Sequence, residues 1–185
     1  MTSVVNLQAG GNVGITANNP LLKELVVGFG WDTISSNGPL PELVPSAILT
    51  DKSGKALSAE HFVFFNQLAT PDDSVRYVTG DDKEQIEVNL SLVPEVVEKI
   101  VFIVYVDPDL RKPGNFASAR GAYIRVADRE EHDIARFDLA NYDVEVTAMI
   151  FGELYRYKGL WKFRAVGQGY KNGLSEVAKS VGLSI

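Results

Sequence analysis

The sequence predicts an all-β domain that folds as a two-sheet β-sandwich and ends in a short C-terminal helix. Apolar and polar residues alternate along most of the chain, which is the pattern of strands that bury one face. Turn signals rich in Gly, Pro, Asn and Asp separate these segments, and many short strands divided by such turns are typical of sandwiches and barrels. The 185 residues fit a single domain, residues 1–185, which is long enough to bury its own core.

The first half of the chain carries several strand patterns. They are rich in β-branched and aromatic residues, and turn signals separate them. The last of them alternates strictly between apolar and polar residues. The predicted strands are Leu25–Phe29, Ala47–Thr50, Phe62–Phe65, Arg76–Thr79 and the segment of Ile86, Val88 and Leu90.

The second half begins with the most apolar segment of the chain. Residues Ile100–Val106 are apolar on both faces and mostly β-branched, which predicts a central strand that is covered on both sides. A weaker pattern predicts a strand at Val144–Tyr155, and strict alternation predicts three more, for roughly nine or ten strands in all. The apolar residues of the three alternating strands are Ala122, Ile124 and Val126; Ala135, Phe137 and Leu139; and Trp161, Phe163 and Ala165.

The one clear helical pattern lies at the C-terminus. Apolar residues recur between Leu174 and Val181 at the i, i+3, i+4, i+7 spacing of an amphipathic helix. Asn172 is the predicted N-cap, and Gly182 is the residue predicted to follow the last helical turn.

Composition excludes several classes of function. The chain has no cysteine, so disulfides, thiol catalysis and thiolate metal sites are impossible. Its net charge of −6 and its pI near 5.0 argue against a nucleic-acid partner, because phosphates favour a basic surface. No apolar run approaches the about 20 residues of a transmembrane segment, and residues 1–10 lack the pattern of a secretory signal. We therefore expect a cytoplasmic protein.

Motifs for catalysis are weak, and we expect no enzyme. The only histidines are His61 and His132, and a solvated or core-edge histidine is the expected role of each. The run Gly28-Phe29-Gly30 superficially resembles a phosphate loop, but the third glycine and the following helix are missing. A sharp turn or bulge explains these glycines, and those of Val166–Tyr170, better than a binding loop does.

Basic residues lie among aromatic ones near the C-terminus. Such a surface could meet an anionic partner, although the polar outer face of a hairpin accounts for it more simply. The basic residues are Arg156, Lys158, Lys162, Arg164 and Lys171.

Acidic loops are the most informative candidates for binding. Asp81, Asp82 and Glu84 lie so close in sequence that their charges repel one another unless they are solvated or bound to a cation. Calcium takes about six to eight oxygen ligands, mostly from carboxylates and carbonyls. A solvated acidic turn is the alternative, because the EF-hand pattern is absent.

Several stretches of the chain form a recognisable set. The longest is Trp161–Tyr170, and the others are Gly10–Asn12, Val27–Asp32, Phe62–Leu68, Asn115–Phe116, Ala122–Val126, Phe151–Arg156 and Gly173–Leu174. In this order, over nearly the whole chain, they closely resemble the TerD family of bacterial tellurium-resistance and stress-response proteins.

The resemblance implies two packed β-sheets with calcium bound by acidic loops at one end. It also implies a non-catalytic role in the bacterial response to tellurite, other chemical stress, phage or colicins, with other stress-response proteins as partners. The positions that correspond to the family's calcium ligands are Asp32, Glu42, Asp81, Asp82 and Glu84.

Two positions depart from the family pattern where metal is concerned. Family members usually carry Asp-Leu-Asp-Ala-Ser after the Trp-Asp strand, whereas residues 42–46 of this chain place Val44 at the second carboxylate. The family's Gly- and Asp-rich loop is shortened to Gly80–Glu84, and Lys83 stands where the second Asp would be. Fewer carboxylates and a nearby lysine should weaken calcium binding.

Three functions follow from these patterns. The first, which we predict, is a calcium-binding stress protein. The second is a metal-free interaction scaffold that keeps the fold but has lost the site, as Val44 and Lys83 suggest. The third is a hydrolase that uses paired carboxylates such as Asp81 and Glu84, which would need a concave pocket and a carboxyl group with a raised pKa.

Overall fold

The computed structural model describes residues 3–33, 43–78, 82, 84–107, 114–140, 142–143 and 145–185. Within these residues, twelve strands form two six-stranded sheets, and one α-helix follows the last strand. The prediction of an all-β sandwich with a short C-terminal helix is confirmed. No helix among the described residues is long and apolar enough to cross a membrane.

The first sheet, which we call the front sheet, joins an N-terminal strand to strands from the middle of the chain. Its neighbours are antiparallel, except that the first strand runs parallel to the strand beside it. Numbered in chain order and given in spatial order, its strands are β1 (Val5–Leu7), β10 (Asp133–Asp138), β9 (Ala119–Asp128), β3 (Glu24–Thr33), β7 (Glu84–Asn89) and β6 (Val75–Val78).

The second sheet, which we call the back sheet, is built from antiparallel neighbours around the most apolar strand. That strand is β8, which lies between β11 and β4 as the sequence predicts for a central strand. In spatial order the strands are β2 (Asn12–Gly14), β12 (Leu160–Tyr170), β11 (Ala148–Tyr157), β8 (Lys99–Val106), β4 (Leu43–Thr50) and β5 (Phe62–Val63).

Aromatic side chains fill the layer between the two sheets. The ring centroid of Phe29 in the front sheet lies 6.0 Å from that of Phe102 and 6.2 Å from that of Phe151, both in the back sheet. All three side chains are fully buried, and tilted aromatic pairs at such distances attract each other beyond the effect of burial. Trp161 and Phe163 also face this core, which confirms the prediction from alternation.

A second apolar cluster lies on the outer face of the back sheet and explains why β8 is apolar on both sides. Val101, Ile103 and Tyr105 point away from the layer between the sheets. They belong to one cluster with Val177 of the helix α1 (Leu174–Ser180), which packs on this face. A helix this short is stable only because its apolar face is packed.

The C-terminal end of α1 agrees with the sequence prediction, whereas its N-terminal end does not. Gly182 adopts a left-handed φ of 78° just after the last turn, as predicted. The N-cap, however, is Gly173, and no side chain caps the helix there. The predicted cap, Asn172, instead donates its backbone N–H to the Glu176 carboxylate at 3.3 Å. This hydrogen bond joins the segment before the helix to the first helical turn.

Two short strands were not predicted from the sequence. β1 and β2 have three residues each, which is too few for an alternating pattern to be visible. They form because β10 and β12 offer free backbone partners, with Val5 opposite Ala135 and Val13 opposite Phe163. Their existence therefore depends on strands more than a hundred residues away in sequence.

The glycine-rich end of β12 contains the bulge that the sequence predicts. Ile150 of β11 pairs with Gln168, but Gly152 pairs with Ala165, so β12 has one more residue than β11 in this interval. Gly167 lies in the interval with a φ of 72°, a conformation that glycine adopts without steric cost.

Replacing Phe102 with Ala should lower the free energy of unfolding by about 3–5 kcal/mol, because the change leaves a cavity between the sheets. Urea denaturation followed by tryptophan fluorescence measures the loss. Phe65→Ala is the control, since Phe65 is 43% exposed and its loss should cost about 1 kcal/mol or less. Equal losses in the two variants would contradict a dominant role for the inter-sheet aromatic layer.

Candidate functional site

The loops that carry the predicted ligands leave the strands at one end of the sandwich. In the front sheet β3 ends at Thr33 and β7 begins at Glu84, while in the back sheet β4 begins at Leu43 and β8 ends at Val106. Ala119, the first residue of β9, pairs with Thr33. The N–H of Phe116, just before β9, donates to the Val146 carbonyl at 3.1 Å, and the N–H of Val106 donates to the carbonyl of the next residue, Thr147, at 2.8 Å, so these strand ends of the two sheets lie together. Residues 34–42, 79–81, 83 and 108–113, which adjoin them in sequence, lie outside the described part of the chain. We call the end of the sandwich at which Thr33, Leu43, Glu84 and Val106 lie the loop end.

Three of the five predicted ligands, Asp32, Asp82 and Glu84, are among the described residues. Glu42 and Asp81 lie outside the described residues. Asp32 is exposed on the front sheet, and no described residue forms a hydrogen bond or ion pair with its carboxylate. Glu84 is hydrogen-bonded to the hydroxyl of Tyr77, whose pKa is raised by burial and by this bond.

Asp82 is held by protein donors on both carboxylate oxygens. Its side chain is only 5% exposed. Oδ2 accepts hydrogen bonds from Arg125 Nη2 at 2.7 Å and from Gln85 Nε2 at 2.8 Å. Oδ1 accepts one from the Tyr123 hydroxyl at 2.5 Å, and Arg125 Nε approaches both oxygens at 3.1 and 3.0 Å. The carboxylate therefore has little remaining capacity to accept.

Arg125 is shared by three carboxylates. Besides Asp82, it donates from Nη1 to Asp133 at 2.7 Å and from Nη2 to Glu131. Only 10% of its side chain is exposed, so the guanidinium is removed from most of the solvent and its charge is compensated by these acids. Because Asp82 precedes β7 while the other two acids lie at the β9–β10 turn, Arg125 fastens the acidic segment to the outer face of the front sheet.

The surroundings keep this network charged at neutral pH. Burial alone would raise the pKa of Asp82, but hydrogen bonds from Arg125, Tyr123 and Gln85 outweigh it, and the pKa lies below its ordinary value. The hydrogen bond to Asp82 raises the pKa of Arg125 against the effect of burial. Burial and the bond to Asp82 raise the pKa of Tyr123 to about 12, so this phenol remains a donor.

Two glycines of β3 make room for the network. A Cβ on Gly28 would lie 2.2 Å from Asp82 Oδ2, and a Cβ on Gly30 would lie 2.2 Å from Cε1 of Tyr123. An irregular register follows Gly30, but at Gly28 the strand pairs regularly on both sides. The interpretation of Gly28 as part of a turn or bulge is therefore wrong, since the residue is needed where polar side chains cross the backbone closely.

These contacts make the described carboxylates unequal as ligands for calcium. Asp32 fits the ion, because its carboxylate is exposed and has no partner among the described residues. Glu84 fits in part, since one tyrosine hydroxyl contacts it. Asp82 does not fit in this arrangement, because a cation would have to displace the guanidinium of Arg125 from both oxygens.

The replacement of a family carboxylate by Val44 has a packing explanation. Val44 is 5% exposed and belongs to the apolar cluster on the outer face of the back sheet. A carboxylate at this position would be removed from water without a partner, which is costly. Val44→Asp would therefore report mainly on stability and is a poor test of calcium affinity.

A second group of possible metal ligands lies at the β9–β10 turn. Possible ligand atoms of Asp128, Glu130 and His132 come within 4.8 Å of one another. The His132 side chain is 77% exposed, and its Nδ1 lies 3.1 Å from Asp128 Oδ2. His132 therefore occupies a solvated, charged hairpin, as the sequence predicts.

A serine, a histidine and an aspartate meet near β5. Ser58 Oγ lies 2.7 Å from His61 Nδ1, but His61 Nε2 lies 4.0 Å from Asp72, which is too far for a hydrogen bond. The Ser58 hydroxyl accepts a hydrogen bond from the N–H of Glu60 at 3.2 Å and caps a short 3₁₀ turn. The group is explained by this cap and lacks the firmly oriented base of a nucleophilic triad.

Sequence reasoning missed Arg125 and Tyr123. A signal for them was present, because alternation with Ile124 and Val126 places both on the outer face of β9. What the sequence does not show is that Asp82, 43 residues before Arg125, lies over the same patch of sheet.

Comparison with known proteins finds similarity over nearly the whole chain. The sequence profile of the TerD domain matches residues 3–180. The chain is 40% identical to the tellurium resistance protein TerD of Serratia marcescens over 97% of this chain and 98% of that protein. It is 38% identical to general stress protein 16U of Bacillus subtilis over 98% of both. A crystal structure of a TerD homologue from Streptomyces coelicolor shares the fold, with a TM-score of 0.64 at 18% identity over 85% of this chain and 95% of that one.

Replacing Gly28 with Ala should lower the free energy of unfolding by about 2–4 kcal/mol, because the methyl group would push Asp82 away from Arg125 and leave a buried charge unpaired. Gly14→Ala is the matched control, since its Cβ would meet Ala17 at an ordinary 3.5 Å. Urea denaturation measures both changes. In an Asp82→Ala background the Gly28→Ala change should cost much less, and an undiminished cost would show that the clash lies elsewhere.

The lowered pKa of Asp82 makes part of the stability depend on pH. A carboxyl group whose pKa is lower in the folded state stabilises the fold above its unfolded pKa of about 3.9, and this contribution is lost as the pH falls through the folded value. Wild type should therefore exceed Asp82→Asn most in stability near pH 7, and the difference should shrink below about pH 4. Thermal denaturation across this range tests it. A difference that is independent of pH would contradict the role of the charge.

Proposed function

The chain belongs to the TerD family, and on that premise we propose that it is a calcium-binding stress-response protein of the tellurium-resistance type that acts without catalysis. Its relatives are named for tellurium resistance and for general stress, and the family match over residues 3–180 supports the same broad role here. We further propose that it acts in the cytoplasm with other stress-response proteins as partners.

The observation that carries calcium binding is the exposed carboxylate of Asp32 at the loop end. Glu84 begins β7 at the same end, and the sequence places Glu42 and Asp81 in the adjoining segments, outside the described residues. Asp32 and Glu84 lie on neighbouring strands of the front sheet, and carboxylate oxygens are the donors that calcium prefers. When bound there, calcium would supply the positive charge that offsets their mutual repulsion.

Asp82 has a different part in this proposal. The family pattern implies a ligand, but its oxygens are taken by Arg125, Tyr123 and Gln85. We assign it the role of fastening the acidic segment to the sheet, in the way that outer groups orient metal ligands. The neighbouring carboxylates would then be presented from a fixed point.

The described histidines support a protein without catalysis. His61 accompanies a helix-capping serine and lies beyond hydrogen-bond distance from Asp72. His132 is largely exposed in a charged turn. His61 is hydrogen-bonded to Ser58 but lacks, among the described residues, a carboxylate close enough to orient it as a base, and a serine nucleophile requires such an oriented base.

The metal-free scaffold is the second candidate function, and one observation favours it. Arg125 already pairs with Asp82, Glu131 and Asp133, so an internal cation offsets part of the repulsion among these acids without a metal ion. A chain that keeps the sandwich and replaces metal by an internal cation would retain a surface for partners only.

Calcium added to metal-stripped protein should give a calorimetric binding signal and raise the melting temperature, because a ligand that binds only the folded state stabilises it. Asp32→Asn keeps the shape and removes the charge, and it should weaken the affinity about tenfold, or about 1.4 kcal/mol. Asp73→Asn is the matched control. It changes an exposed aspartate away from the loop end, whose φ of 64° asparagine tolerates, and it should leave the affinity unchanged.

The other outcomes decide between the candidates. If millimolar calcium gives neither heat nor a melting shift, the scaffold function replaces the calcium function. If calcium binds but Asp32→Asn has no effect, the ligands lie elsewhere. If Asp82→Asn weakens binding as much as Asp32→Asn without a comparable loss of stability, Asp82 is a ligand and its assigned role as a fastening residue is wrong.

A further inference from the structure

A cationic surface occupies the outer face of the back sheet, beside the part that α1 covers. Lys162 and Arg164 point outward, because Trp161 and Phe163, with which they alternate along β12, face the core. Cross-strand pairing brings residues of β8 and β11 to the same area. We call this surface the basic patch, and it is formed by Lys99, Tyr155, Tyr157, Lys158, Lys162 and Arg164.

The cations of the basic patch have few carboxylates to pair with. Lys99 and Arg164 share the buried Glu153 at 3.7 and 3.3 Å. The ammonium groups of Lys158 and Lys162 each lie 5.3 Å from the centre of one tyrosine ring, and neither forms an ion pair with a described residue. Four cations against one carboxylate give the patch a formal net charge of +3.

The outer face of the front sheet, which we call the acidic face, has the opposite charge. There Arg125 faces the carboxylates of Asp82, Glu131 and Asp133, while Arg136 pairs with Asp138 and Arg76 with Glu87. These five carboxylates against three guanidinium groups give the face a formal net charge of −2, and the Asp138 side chain is 61% exposed. Because the whole chain carries −6, a patch of +3 leaves about −9 on the remaining surface. The two outer faces of the sandwich thus carry formal net charges of opposite sign.

We propose that the basic patch docks on the acidic face of a second copy of this chain, in a head-to-tail stack. The two sheets pack back to back, so their outer faces point in opposite directions, and a copy displaced along the sheet normal brings opposite charges together. A twofold arrangement about either face would oppose like charges. The contact is therefore heterologous and can repeat. This inference goes beyond the proposed function and does not depend on calcium.

The charge distribution favours a second copy over a nucleic acid or an anionic membrane. A polyphosphate that approached the patch would also be repelled by the net charge of about −9 on the rest of the surface. A second copy instead offers its carboxylates on a sheet face that can lie against the β11–β12 hairpin. Tyr157, which is 52% exposed, adds apolar contact area between the charges, as aromatic residues do in interfaces.

Sedimentation velocity of the full chain tests the stack. Between about 10 and 500 μM protein, association should be about tenfold tighter in about 50 mM NaCl than in about 500 mM NaCl, because salt screens the contact. Lys158→Glu/Lys162→Glu should abolish association. The control Lys52→Glu/Lys179→Glu makes the same change of charge at exposed lysines outside the patch and should still associate.

A complementary reversal makes the test specific. Glu87→Lys/Asp138→Lys changes two partly exposed carboxylates of the acidic face and should also prevent self-association. Mixed with Lys158→Glu/Lys162→Glu, it should associate, because each variant then offers the face that the other lacks.

Three results would overturn the proposal. One is a wild type that stays monomeric at both salt concentrations. Another is an equal loss of association in the lysine control. The third is a mixture of the two reversed variants that does not associate, and if the wild type then binds a DNA oligonucleotide, the patch belongs to a nucleic-acid partner.

Discussion

The contact of Phe29 with Phe102 and Phe151 is the constraint on which the rest of the structure depends. It joins the two sheets through rings that are fully buried, and every strand that reaches this layer must turn one set of alternate residues toward it. The polar residues are then forced onto the two outer faces. The loop end is joined separately, by the backbone hydrogen bond from Phe116 to Val146.

The outer faces of the two sheets are covered in different ways. On the back sheet, α1 covers part of the outer face, and the basic β11–β12 hairpin lies beside it. The front sheet has no such helix among the described residues. Its outer face instead carries an ion-pair network in which Arg125 contacts Asp82, Glu131 and Asp133. Removing Arg125 would leave Asp82, whose side chain is only 5% exposed, as a buried charge without its cation.

This arrangement bears directly on function. The acidic segment before β7 belongs to the calcium site that we propose, and its described residue Asp82 is fastened to the sheet by Arg125. The Asp32 carboxylate, which has no partner among the described residues, lies at the same end of the front sheet. The proposed site would combine one fixed point with this carboxylate, and its affinity would depend on how many of the adjoining acids reach the ion.

Local periodicity was sufficient to predict the all-β class, the central strand β8, the inward side chains of β12 and the C-terminal helix, because these depend on the geometry of neighbouring residues. The family resemblance added the positions of five possible ligands. Only the tertiary structure revealed that Asp82 pairs with Arg125, 43 residues away, and that Gly28 leaves the space for this pair. The reason is physical: alternation states which face a residue occupies, whereas the partner it meets there depends on strand order and register, which distant parts of the chain decide together.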